Sequence, residues 1–400
     1  MGLKIDMSKA FDRVEWTFLE SVLKKLGFCD EWTRLIMQCI NTTSSAILIS
    51  GFSTSFFKPS RGIRQGDPLF PYLSIICMES LSRVLNEAKK KKWIHGVNLS
   101  KNSFTISQLL FVDDCIIFTR ATKKDSRRLL KILEAFSAGS GQLINYEKSG
   151  IFFSKSVPNN KARDIIGILK VGRIKLDDKY LGVPLFTHRS KIQCFELLAE
   201  KHRNRLAGWS GKLLSGAGKG VMLKHVADSL ATYHMTCFII PKSITKRMDR
   251  RNRAYWWDHS REDGRGLCLK KWVAFCFSKE MRGIGFKNFE CFNRALIAKT
   301  VWRMIHNRDQ LWEKVMEEKY FKGISPICIS KVKANSSWLW KGFYIGLEIV
   351  KKWGIWNIST SEYTNLETPL VPNRKTKSTN KGTNNIHYWN CAATGERNLQ

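Results

Sequence analysis

The stretch "QLLFVDDCIIF", Gln108 to Phe118, sets two adjacent carboxylates between two apolar runs. Apolar runs of this length around a short polar break predict strand, tight turn, strand. Neighbouring like charges repel, and apolar surroundings make ionised carboxylates unfavourable. No lysine or arginine stands within four residues of Asp113-Asp114 on either side. The chain holds its own contrast in "RIKLDDKYLG", where Asp177-Asp178 has lysines on both sides and reads as a solvated turn. Two readings of Asp113-Asp114 stand side by side. One is an ordinary turn whose acids bond the backbone. The other is half of a divalent-metal site. Mg²⁺ takes oxygen ligands, and two ions about 3.5–4 Å apart hold the attacking and leaving oxygens of a phosphoryl transfer. Such a site needs another carboxylate from a separate strand, and "LKIDM" offers Asp6 at the end of one.

The charge balance narrows the partners. Lys plus Arg is 67 against 34 Asp plus Glu, a net +33, with acids and bases interleaved along most of the chain. Such a field favours polyanions, nucleic acid first and anionic membrane second. The first residues do not form a signal peptide, because Lys4 and Asp6 interrupt any apolar core. Residues 35–57 carry no charge but are rich in Ser, Thr and Asn, so no membrane-spanning segment is expected. The 11 cysteines show no C-x-x-C pair and mostly lie among apolar residues. That predicts a reduced intracellular protein with buried thiols, nucleus and cytoplasm not being distinguished. No zinc-ligand spacing occurs.

At 400 residues, 43% hydrophobic, the chain has material for two or three domains. From Asp12 the apolar residues Val14, Phe18, Leu19, Val22, Leu23 and Leu26 recur at helical spacing, and Gly27 ends the run. A short helix follows over about 30–40, and "SSAILISGFSTSFF" predicts a hairpin around Ser50-Gly51. Asp67 is the expected N-cap of the next helix, with Pro68 at its first position and Leu69, Tyr72, Leu73 and Ile76 on its buried face. "DSRRLLKILEAFSAGSGQLI" is an amphipathic helix ended by glycines. From about 190 the chain reads as helical and basic, clearest in "KIQCFELLAEKHRNRLAGW" and "VMLKHVADSLATYHMTCFIIP". The frequent tryptophans Trp256, Trp257, Trp272, Trp302, Trp312, Trp338 and Trp340 read as packing anchors rather than base-stacking platforms. The polar tail over 359–400 is expected to be disordered.

"FVDD" between apolar strands, after "IDMSKAFDRVEW" and "RGIRQGDPLFPYLS", resembles the reverse transcriptases of non-LTR retrotransposons, most of all the plant long-interspersed-element group. "SGQLINYEKSG" and "YLGVPL" resemble that family's next two motifs in order. "GIGFKNFECFNRALIAKTVWRM" and "WEKVMEEKYF" are similar to the region after the polymerase. The likeness runs to about Gly342. It implies an α+β fold: a polymerase palm with an antiparallel sheet and packed helices over 1–190, then a thumb-like helical region over 191–260. A Trp-rich helical region over 261–358 would follow.

The resemblance also implies roles. Asp6, Asp113 and Asp114 would hold two Mg²⁺ ions, or Mn²⁺ in their place. Phe11 would lie under the incoming sugar and exclude a 2′-hydroxyl. Its plain alternative is a core aromatic. Gln65 and Gly66 would lie against the nascent base pair and template, Gly66 allowing close backbone approach. Arg61 and Arg64 would contact phosphate, or be solvated. Lys148 would approach the leaving pyrophosphate, or be an exposed loop lysine. The partners implied are an RNA template, a DNA primer and deoxynucleoside triphosphates, with no membrane and no oligomeric state specified. Departures are visible too. Met1 is five residues from Asp6, so a truncated chain without fingers is expected, with activity impaired. Phe70 stands where the family commonly has a small polar residue, and Val112 replaces the commoner Ala. A non-catalytic nucleic-acid-binding relic, or a structural partner using the Trp-rich half, are the alternative readings.

Overall fold

The computed structural model describes residues 1–64, 66–98, 104–175, 178–185, 190–209, 214–257, 269–306, 310–334 and 336–354. Gln65, Asp177 and the tail expected to be disordered lie outside the described residues. The chain divides into two compact units, Met1–Phe186 and Thr187–Gln400.

The first unit runs β1 (Gly2–Ile5), β2 (Met7–Ser8), α1 (Trp16–Leu26), α2 (Asp30–Asn41), β3 (Leu48–Ile49), β4 (Phe52–Ser53) and α3 (Phe70–Lys90). Then come β5 (Val97–Asn98), β6 (Thr105–Ile106), β7 (Gln108–Phe111), β8 (Asp114–Phe118), α4 (Lys123–Ser140), β9 (Leu143–Ile144) and β10 (Gly150–Phe152). It ends with α5 (Asn159–Leu169), β11 (Gly172–Arg173), β12 (Lys179–Tyr180) and β13 (Val183–Pro184). The main sheet has the order β11-β10-β1-β8-β7, with β1 antiparallel to both neighbours. Alternation along the strands sends Leu3, Ile5, Cys115 and Ile117 to one face. There they join Leu81, Leu85, Leu129, Leu133 and Ile165 from α3, α4 and α5 in one core. A second core gathers Leu19, Leu23, Ile36, Phe70, Leu73 and Cys77 from α1, α2 and the start of α3, with Val14 and Ile63 from the segments before α1 and α3.

Helix α3 serves both cores, which explains its 21 residues. Phe70, Leu73 and Cys77 face one, and Met78, Leu81 and Leu85 face the other. This corrects the expected start and buried face. Asp67 is not the N-cap: its carboxylate accepts from Leu69 N at 2.9 Å and its carbonyl from Phe70 N at 3.1 Å, closing a turn before the helix. The helix therefore begins at Phe70, Leu73 alone of the expected set is buried, and Tyr72 is 67% exposed. The hairpin β3–β4 does turn at Ser50-Gly51, both with positive φ, as a type I′ loop requires.

The helix expected from Asp12 begins only at Trp16. The residues before it are clamped between two distant segments. Phe11 O accepts from Ile63 N (2.9 Å) and Val14 O from Gly62 N (2.8 Å), while Glu15 N donates to Ser140 O (3.0 Å). Trp16 Nε1 donates to Gly62 O (2.8 Å), and the Gln142 amide donates to Ala10 O. Two glycines let the chains approach. A Cβ on Gly62, at φ +88, would lie 2.7 Å from Asp12 O; one on Gly141, at φ +75, would meet Arg13 O.

The second unit is helical: α6 (Lys191–Ala207), α7 (Gly216–Val221), α8 (Thr232–Cys237), α9 (Lys242–Trp256), α10 (Trp272–Cys276), α11 (Phe289–His306), α12 (Leu311–Met316) and α13 (Trp338–Trp353). The second of the two clear segments is broken rather than continuous. A π-helical turn, Met222–Ala227, leads to the buried Asp228, whose carboxylate accepts from Asn252 Nδ2 (3.3 Å) and Lys287 N (3.4 Å). Turning that side chain inward ends the helix until Thr232. The tryptophans act as anchors: Trp272 stacks on Phe286 and Trp340 on Tyr320, with centroids 5.2 and 4.3 Å apart. The described cysteines form no disulfide, and they are less uniformly buried than expected: Cys29, Cys39 and Cys328 are exposed. Among the described residues no helix is long and apolar enough to cross a membrane.

Two expectations follow. Gly141→Ala should lower the thermal midpoint more than Gly27→Ala. Gly27 also has positive φ but open space around it, so that substitution costs about 1–2 kcal/mol of backbone strain without a clash. The comparison is made by thermal circular dichroism. The second concerns pH. Burial pushes the carboxyls of Asp228 and Asp249 up to about 7. A carboxyl raised on folding binds more protons in the folded chain, so its contribution is full below about pH 4 and is lost as pH rises through 7. Burial, with the charge of Arg251, pushes His202 down to about 4, which has the opposite sign over the same window. Two carboxyls outweigh one imidazole. Asp228→Asn should therefore flatten the fall in thermal midpoint between about pH 5 and about pH 7.5.

Candidate active site

The antiparallel register of β1 and β8 pairs Gly2 with Phe118, Leu3 with Ile117, Lys4 with Ile116 and Ile5 with Cys115. One step further along both chains sets Asp6 across from Asp114. Because side chains alternate, Asp6 and Asp114 share the face opposite the core residues Ile5 and Cys115. Strands β7 and β8 close with Phe111 opposite Asp114, leaving Val112 and Asp113 as a two-residue turn. Val112 has φ +54. A β-branched residue there is strained, since the first position of such a turn suits glycine. The apolar flanks, buried at Cys115, Ile116 and Ile117, hold the turn in that conformation. The valine that stands in place of the commoner Ala is therefore at a strained position.

The Asp114 carboxyl is raised above its ordinary value, first by burial and then by the charge of Asp113, with Asp6 adding to both. Lys4 and a backbone hydrogen bond from Leu181 act the other way. Asp6 and Asp114 are thus within electrostatic reach of each other, while Asp113 is exposed at the turn tip. Among the described residues no three carboxylate, imidazole or thiolate side chains close into a metal-holding group. The donors are of the hard type a divalent cation takes, but they stand open rather than gathered.

Two further segments fasten this corner. Asp6 N donates to Ser149 Oγ (3.1 Å) and Asp6 O accepts from Asn145 N (2.9 Å). Ser149 N in turn donates to Asn145 O (2.9 Å), so the turn bearing Lys148 is tied to Asp6 by its backbone. Lys148 itself is exposed. On the other side, the hairpin β12–β13 turns at Leu181 (φ +52) and Gly182 (φ +78). Its Leu181 N–H reaches Asp114, and its Lys179 carbonyl accepts from Lys4 Nζ at 2.7 Å. Lys4, Leu181, Asn145 and Ser149 were not singled out in the sequence. "YLGVPL" stood out only as a resemblance to a family motif, and nothing local showed the hairpin or what it would touch.

The remaining candidates form a second group. Phe11 is half-buried, its ring centroid 4.2 Å from that of Phe70. Arg61 pairs with Glu15 (3.4 Å), so its guanidinium is turned towards the entry of α1. Arg64 is exposed, and Gly66 has φ +93 with open space around it. Gln65 lies outside the described residues. The structure joins Phe11 to the 61–63 segment and Asp6 to Asp114 and to the turn bearing Lys148.

Residues 1–185 match the reverse transcriptase (RNA-dependent DNA polymerase) family. A protein of Arabidopsis thaliana named after ribonuclease H is 31% identical over 174 residues, covering 43% of this chain and 28% of its own. An uncharacterized mitochondrial protein of the same plant is 30% identical over 153 residues, 36% of this chain and 98% of its own. A retrovirus-related Pol polyprotein from a type-2 retrotransposable element of Drosophila melanogaster is 25% identical over 198 residues, 48% of this chain and 18% of its own. The chain thus spans under a third of the first and third of these relatives. Residues 1–185 are a reverse transcriptase domain homologous to those of retrotransposon polyproteins.

Proposed function

We propose that the first unit is the palm of an RNA-directed DNA polymerase of a plant non-LTR retrotransposon. In the reaction a primer 3′-oxygen attacks the α-phosphorus of a deoxynucleoside triphosphate, pyrophosphate leaves, and the hydroxyl proton is lost. The observation that carries this reading is the β1–β8 register, which puts Asp6 beside Asp114 at one end of the sheet. Asp6, Asp113 and Asp114 would hold Mg²⁺, or Mn²⁺. When bound, such ions favour the ionised 3′-oxygen and offset the charge of the triphosphate.

The chain's own groups supply the rest. Lys148 would stand by the leaving pyrophosphate on a turn tied to Asp6. Phe11 would lie beneath the sugar. Gly66, with Gln65, would approach the nascent pair; glycine has no side chain to obstruct that approach and suits the positive φ found there. Arg64 would contact phosphate, and Arg61 would do so on release from Glu15. Base pairing with the template selects sequence, so the protein grips backbone, which suits a net charge of +33. We place the palm over 1–190, a thumb-like region over 191–260 and a further helical region over 261–358, all at work inside the cell.

The test is primer extension by the purified chain on a primed RNA template with Mg²⁺ and deoxynucleotides. Incorporation is expected, reduced at least about 100-fold by Asp113→Ala or Asp6→Ala. Template binding that survives in a chain without any incorporation would instead support a non-catalytic binder. Binding should also fall about 10³-fold between about 50 mM and about 200 mM salt if about six phosphates are neutralised, as filter binding would measure. Affinity independent of salt would remove the polyanion argument.

A further inference from the structure

We infer that Phe70 is a positioning residue for sugar selection, its ring holding the Phe11 ring in the orientation that meets the sugar of the incoming nucleotide. The inference rests on the polymerase reading of Phe11 given above. Phe11 does not belong to the sheet or to a helix: it lies in the turn before α1, and its carbonyl is bonded to Ile63 N at 2.9 Å. That bond places the backbone of Phe11 but leaves its ring free to choose among rotamers. The ring is half-buried, and a neighbour must decide which rotamer is populated.

Phe70 is that neighbour. The two centroids are 4.2 Å apart and the planes are tilted by 54°. Phe70 is the first residue of α3, is 8% exposed, and belongs to the cluster that includes Val14, Leu19, Ile63 and Leu73. It is thus fixed by a helix and a core, whereas Phe11 stands in a turn and packs only partly buried against the edge of that core. The constraint runs from Phe70 to Phe11.

A second link runs the same way. Ile63, whose N–H bonds the Phe11 carbonyl, is buried in the same cluster as Phe70. The side chain and the backbone of Phe11 are therefore both referenced to one buried cluster. Excluding one hydroxyl is a matter of about 1 Å, a scale at which misplacement changes rates by large factors.

The experiment uses the purified whole chain on a primed RNA template. It compares kcat and KM for a deoxynucleotide and the matching ribonucleotide in the unsubstituted chain and in Phe70→Leu, Phe70→Ala and Phe11→Val. Phe70→Leu keeps an apolar side chain in the cluster, and its thermal midpoint reports folding. Phe70→Leu and Phe70→Ala are expected to lower the deoxy-to-ribo ratio of kcat/KM by about tenfold. The change should come through a lower KM for the ribonucleotide, with kcat for the deoxynucleotide nearly unchanged. A merely structural role would lower both activities together and leave the ratio alone. If Phe11→Val collapses the ratio and folded Phe70→Leu does not alter it, the inference is overturned while the polymerase reading stands. If the ratio survives Phe11→Val, the role given to Phe11 is wrong and the inference falls with it. If the unsubstituted chain incorporates nothing, the proposed function itself has failed.

Discussion

The antiparallel pairing of β1 with β8 is the constraint on which the candidate site depends. Side chains alternate along a strand, so slipping the register by one residue would turn Asp6 or Asp114 into the core and bring Ile5 or Cys115 out. The buried faces of Leu3, Ile5, Cys115 and Ile117 forbid that slip. The same apolar packing that makes the sheet stable therefore determines where the acids stand. It also carries the strain at Val112 and the unfavourable approach of Asp114 to its acidic neighbours. Such local conflicts are tolerated where surrounding structure over-determines them, and they concentrate at functional sites.

The segments around this corner are held by backbone bonds more than by side-chain pairs. The turn bearing Lys148 is bonded to Asp6, the β12–β13 hairpin reaches Asp114 and Lys4, and the loop carrying Phe11 is gripped by residues 61–63 and 140–142. Backbone groups are obligatory donors and acceptors, so each loop must find partners when it leaves water. Here the partners come from one another, across up to 175 residues of sequence. A loop held in this way has a defined path without being part of a helix or sheet. The second unit follows a different rule. It rests on aromatic stacking of helix residues on neighbouring segments and on a small buried polar cluster around Asp228, where a helix is interrupted to bring a carboxylate inside.

Much of this was readable beforehand, and the misses have physical causes. The strand–turn–strand at Asp113-Asp114, the Ser50-Gly51 hairpin and the helix ended by Gly141 are local patterns, and each formed where expected. The start of α1 was misjudged because the backbone groups of residues 11–15 are bonded to Gly62, Ile63 and Ser140 instead of to a first helical turn. The buried face of α3 was misjudged because that helix packs against two cores, and a single amphipathic stripe does not describe it. The break at Asp228 was invisible because its partners, Asn252 and Lys287, lie far along the chain.

By itself the sequence determined the residue types of the site, the strands that end in them and the excess of positive charge suited to a polyanion, since these depend on composition and local periodicity. Only the tertiary structure decided which residues meet. It set Asp6 beside Asp114, bound the Lys148 turn to Asp6, gave Asp114 a donor from Leu181, turned Arg61 towards Glu15 and placed Phe11 against Phe70. The reason is physical. Strand register and ring packing are set by burying apolar surface contributed from distant segments, and no local pattern encodes which of those segments will be neighbours.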